Sequence, residues 1–110
     1  MSLRDVGEVE GKTYCFIGTD GLSQKEFNEK VVGKVVDIIG KKDNNIILSD
    51  GEIMLTRFLH KRGYRKVKVY HTGKKPKQNI GNYTLKGEFT TDSDVECNLR
   101  NDADEVISDF

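Results

Sequence analysis

Apolar and polar positions change their period several times along the chain, and each change predicts an element. Thr13–Gly18 (Thr-Tyr-Cys-Phe-Ile-Gly) is a short, continuous apolar run, the pattern of a parallel strand buried on both faces. It ends in Gly18-Thr19-Asp20-Gly21, a turn with two glycines. Ser23 and Glu26 follow at capping-box spacing, so the serine oxygen is expected to take the Glu26 N–H while the glutamate reaches back. Behind them Phe27, Val31, Val32, Val35, Val36 and Ile39 recur along one helical stripe, and Gly40 is expected to stop that helix. Asn45–Leu48 is a second apolar strand leading into Ser49-Asp50-Gly51. From Glu52 a second helix carries Met54, Leu55, Phe58 and Leu59 on one side, and Gly63 closes it. Lys66–His71 alternates, with Val67 and Val69 on one face and Lys68 and Tyr70 on the other. That half-polar pattern predicts an edge strand, where lysine discourages unwanted pairing.

A basic connection, Thr72–Gly81, holds the only proline, Pro76. Tyr83–Phe89 alternates as a short extra strand, Asp94–Asp102 reads as a weak helix, and Glu105–Phe110 as a final strand around Val106 and Ile107. The order predicts an α/β fold: a half-Rossmann three-layer sandwich with right-handed crossovers. Its mainly parallel sheet is expected in the order 3-2-1-4, counting the four main strands. At 110 residues the chain suits one domain, expected over 13–110 behind a flexible, polar and acidic leader at 1–12.

Composition narrows the classes. No apolar run approaches the roughly 20 residues of a bilayer span, and the first dozen residues do not resemble a signal peptide. A cytoplasmic protein without membrane contact is the expectation. Only 35% of residues are hydrophobic while 33% are charged, so the core must be economical. Cys15 and Cys97 are too few for a disulfide framework, and Cys15, inside an apolar run, is expected to act as a small buried hydrophobe. His60 and His71 stand without Cys or His at ligand spacing, so neither a metal nor another cofactor is expected. Net charge is zero but uneven. From Arg57 to Gly87 there is no acid, and from Glu88 onward acids dominate. Such asymmetry can mark a polyanion-binding face. The stretch carries no nucleic-acid motif, so solvated charge is preferred and nucleic acid is not expected as a partner.

The run Phe16-Ile17-Gly18-Thr19-Asp20-Gly21-Leu22-Ser23 resembles the opening of the SLOG superfamily of Rossmann-like proteins. Gly63-Tyr64-Arg65, Val69-Tyr70-His71-Thr72-Gly73 and Pro76-Lys77-Gln78-Asn79-Ile80-Gly81-Asn82-Tyr83 continue the resemblance in order and spacing. That superfamily includes the cytokinin-activating phosphoribohydrolases, the DNA-processing protein of transformation, and small nucleotide sensors of bacteria and phages. The chain departs from it in two places. The glycine-rich turn after the second strand is cut down to Ser49-Asp50-Gly51-Glu52. Similar proteins also continue past the last strand into a second glycine-rich loop, a helix and a strand, whereas this sequence ends at Asp109-Phe110. The expectation is therefore a truncated SLOG-like domain.

In open parallel sheets ligands bind at the carboxyl ends of the strands where strand order reverses, here between the first and last strands. Gly18, Thr19, Asp20, Gly21 and Ser23 are accordingly the first candidates for binding: glycines admit a sugar or phosphate to the backbone, and Thr19 and Asp20 hydrogen-bond hydroxyls. An ordinary strand-to-helix turn asks for the same residue types. The resemblance implies that Asn79, Gly81, Asn82 and Tyr83 lie at the ligand mouth, with Tyr83 stacking on a base. It also places Asp50 and Glu52 where related hydrolases keep carboxylates near the ribose, as weak catalytic candidates. They are equally suited to a helix N-terminus.

The leading expectation is non-catalytic binding of a nucleotide or nucleotide-derived small molecule. One alternative is a nucleotide N-glycosidase or deoxyribosyltransferase assembled across a homodimer. Another is an interaction module without a ligand, whose sheet edge a second copy completes.

Overall fold

The computed structural model describes residues 11–41, 43–73 and 84–110. In chain order the elements are β1 (Thr13–Phe16), α1 (Gln24–Lys30), α2 (Val32–Lys41), β2 (Asn45–Ser49), α3 (Ile53–Lys61), β3 (Val67–Thr72), β4 (Thr84–Phe89), α4 (Asp92–Asp102) and β5 (Glu105–Ile107). Among the described residues five parallel strands form one sheet in the order β4-β3-β2-β1-β5. The four main strands thus keep their expected order, and the chain is an α/β, Rossmann-like three-layer sandwich.

Two cores explain the layers. Because strand side chains alternate between faces, Phe16, Ile46, Leu48, Val67 and Val69 point to one side. There they pack with Phe27, Val31, Val35, Ile38, Leu55 and Leu59 of the first three helices. Cys15, Ile47 and Tyr70 point to the other side and meet Phe89 and, from α4, Val95 and Leu99. Cys15 is fully buried, as its apolar surroundings imply.

The extra strand changes one expectation. Thr84–Phe89 pairs in parallel with β3, so β3 lies between β2 and β4 and is not an edge. Its alternation has a different cause: Lys68 is exposed at the amino end of the α4 face, while Tyr70 on the same face is buried against Phe89, ring to ring at 5.3 Å.

The helices differ in detail from their periodicity. The single stripe 27–39 is carried by two helices that meet at Val31, whose N–H still bonds the Phe27 carbonyl at 2.9 Å. Two β-branched valines followed by Gly33 make this the point of weakest helical propensity. Gly40 does not stop the helix; α2 runs on to Lys41, and Gly40 lacks the positive φ of a glycine terminator. Buried Asn44 supplies a terminating contact instead, its Nδ2 donating to the Ile38 carbonyl at 2.6 Å. Its Oδ1 accepts from the Lys12 N–H at 2.9 Å, which ties the start of β1 to β2. Lys12, assigned to the leader by sequence, is therefore anchored; residues 1–10 of that leader lie outside the described residues. Gly63 does close α3, with φ +72 and its N–H on the His60 carbonyl at 3.0 Å. α4 begins at Asp92, two residues earlier than its periodicity suggests, because the Thr91 hydroxyl caps it by accepting the Asp94 N–H at 3.1 Å. No described helix is long and apolar enough to cross a membrane.

Candidate functional site

β1 is an interior strand, and the chain leaves its carboxyl end through Ile17, whose N–H bonds the Ile107 carbonyl of β5 at 3.0 Å. Gly18 then takes φ +92, a conformation costly to any residue with a Cβ. This turns the chain into a short 3-10 turn, Thr19–Gly21. The Ser23–Glu26 capping box forms as its spacing predicts, with N–H to side-chain distances of 3.2 and 3.1 Å. Those two hydrogen bonds to carboxylate and hydroxyl satisfy the N–H groups of Ser23 and Glu26 at the start of the first helix.

Glu52 holds this loop. Its Oε1 accepts the Thr19 N–H at 2.8 Å and the Thr19 hydroxyl, and its Oε2 accepts the Gly18 N–H at 3.3 Å. The glutamate is 8% exposed and Thr19 fully buried, so these charge-assisted bonds are shielded from water. The Glu52 backbone is itself fixed: its N–H bonds the Ser49 carbonyl at 3.1 Å, and its carbonyl receives both the N–H and hydroxyl of Thr56. Gly51 N–H bonds Ser49 Oγ at 3.0 Å, completing a compact second loop. Asp50 is 3% exposed, and its N–H bonds the Tyr70 carbonyl at 3.0 Å. Burial, with the Glu52 charge second, pushes the neighbouring Cys15 thiol up to about 12, so it stays protonated and unreactive.

The second loop and the end of β1 border a cleft of about 240 Å³ under the first turns of α4. Ser49, Gly51 and Glu52 line it from the loop side, Ile17, Val95 and Leu99 supply apolar wall, and Asp92 and Glu96 stand on the helix side. The cleft therefore opens between the carboxyl ends of β1 and β2. Beyond β5, Phe110 stacks on Phe16 of β1 at 6.3 Å, with Lys34 Nζ 5.4 Å from its ring.

Of the expected residues, Gly18, Asp20, Gly21 and Ser23 are exposed at this end of the sheet. Thr19 is turned inward to Glu52, and Glu52 lines the cleft. Asn79, Gly81, Asn82 and Tyr83 lie outside the described residues. Sequence reasoning missed Asp92 and Glu96. The Thr91-Asp92-Ser93-Asp94 capping pattern marks the helix start, but which strand ends that start overhangs depends on the sheet order. No cluster of His, Cys, Asp or Glu among the described residues is arranged to hold a metal ion. A larger cavity of about 540 Å³ lies at the opposite, amino end of the strands, remote from these loops.

No family model matches the chain, and neither a curated protein nor a solved structure matches it.

Proposed function

We propose that the chain is a non-catalytic domain binding a nucleotide or nucleotide-derived small molecule, in the manner of the SLOG superfamily it resembles. The observation that carries this reading is the loop Gly18–Gly21, held rigid by the buried Glu52 at the carboxyl end of an interior parallel strand. Ligands of open parallel sheets bind at that end, and a pre-ordered loop reduces the entropy lost on binding. The cleft beside the loop is smaller than the roughly 300–1,000 Å³ of a full small-molecule pocket. It suits the sugar or base of a nucleotide better than the phosphate, because Asp92 and Glu96 accept hydrogen bonds from hydroxyl or amino groups and, with Glu52, repel anions.

The same geometry argues against hydrolysis. Both oxygens of Glu52 are engaged with the first loop, and Asp50 is buried, so neither resembles a carboxylate waiting to activate water. Thermal-shift titration with nucleoside monophosphates and cyclic dinucleotides tests the proposal. A ligand at one hundred times its Kd stabilises by about 2.7 kcal/mol, a rise on the order of 10 °C for a domain of this size. Asp20→Ala, at an exposed position, should weaken that rise without lowering the melting temperature of the free protein. The absence of any shift at millimolar nucleotide, or release of free base from a monophosphate, refutes the reading.

A further inference from the structure

We propose that the cavity at the amino end of the sheet is a second site, one that takes a small phosphate-bearing anion. It arises from a mismatch of widths. A five-stranded sheet is roughly 19 Å across, whereas a single helix with its side chains covers about 10 Å. α4 is the one described helix on its face, and among the described residues the amino ends of β2 and β3 border a cavity beside it. The cavity there measures about 540 Å³, well inside the range of small-molecule sites.

Its chemistry is cationic. Arg65, Lys66 and Lys68 line it, against the single carboxylate of Asp102. Asp102 accepts a hydrogen bond from the buried Tyr70 hydroxyl. Lys66 is paired at 2.7 Å with Asp43. Arg65 and Lys68 have no hydrogen bond or ion pair among the described residues. Lys68 stands in register beside buried Ile47, on a sheet face otherwise built from Cys15, Ile47 and Tyr70. A lysine on that face is costly if the face is to be closed by packing and useful if it is to meet an anion. Buried Ile47 and Tyr70 form an apolar floor beside these cations. Arg65 adds the planar fork that matches phosphate. Asn45 and Thr13 border the same space and can hydrogen-bond the remainder of the ligand.

The test is an amide NMR titration of the whole chain with pyrophosphate, then ribose 5-phosphate, at low ionic strength. Saturable shifts are expected at residues 45–47 and 65–68, with a Kd below about 1 mM. Arg65→Glu and Lys68→Glu, both at exposed positions, should each weaken binding about tenfold or more while leaving the urea midpoint near that of the parent. Shifts that do not saturate, shifts confined to residues 18–23, or affinity indifferent to both charge reversals would overturn the proposal. So would an affinity for single-stranded oligonucleotides that climbs with length and exceeds that for pyrophosphate. Because the two sites report on different amides, failure here leaves the carboxyl-end reading to its own test.

Discussion

Glu52 shows how one side chain can hold two loops. Replacing it with alanine leaves the buried Thr19 N–H and hydroxyl without their acceptor. An unsatisfied buried donor costs on the order of 1–3 kcal/mol. Glu52→Ala is therefore expected to lower the urea midpoint by an amount corresponding to about 2 kcal/mol or more, with the slope unchanged. Glu52→Gln should lose less, since its remaining carbonyl oxygen can still serve Thr19. Equal stability of Glu52→Ala and the parent would show that the loop does not depend on this carboxylate. The sequence offered Glu52 as a helix N-terminal residue or a weak catalytic candidate. Neither anticipates its actual partners, which lie 33 and 34 positions earlier in the chain.

Among the elements, α1 was the most legible because its signal is local. The Ser23–Glu26 box lies within four residues, and the hydrogen bonds that form are those the spacing implies. The Ser23 N–H, and next its hydroxyl, hold the Glu26 carboxyl below its usual 4.5. A lowered carboxylate pKa adds stability that is present above the unfolded value and is lost as pH falls through the folded one. Ser23→Ala is expected to cost about 1 kcal/mol at neutral pH. Its deficit should shrink below pH 4.5, where protonation of Glu26 weakens the box in the parent too. Denaturant curves at several pH values check this; a constant deficit down to the acid limit contradicts it. The end of α2 was less legible. Gly40 is a plausible terminator by type, but Asn44, which makes the terminating contact, acts by filling a buried junction between β1, β2 and α2.

On the scale of the whole molecule, Cys15 reports on the integrity of the sheet. It sits fully buried on β1 between β2 and β5, and burial keeps its thiol protonated. Cys97 is exposed on α4. A thiol reagent at neutral pH should therefore modify one equivalent at once and the second only as fast as the domain opens. Denaturant should then raise the slow rate in step with unfolding. Two fast equivalents in native protein would mean that the α4 layer does not close over β1.

The sequence by itself determined the α/β class, the four main strands and their order, the first helix cap and the buried state of Cys15. All of these follow from short-range periodicity, glycine placement and the handedness rules that limit parallel sheets. Only the tertiary structure decided that Thr84–Phe89 continues the sheet beyond β3 and that Glu52 closes on Gly18 and Thr19. It also decided that the cleft lies between β1 and β2 and that Phe110 stacks on Phe16. Each of these depends on residues distant in the chain meeting across the layers, and alternation within a strand says which residues share a face without saying what covers that face.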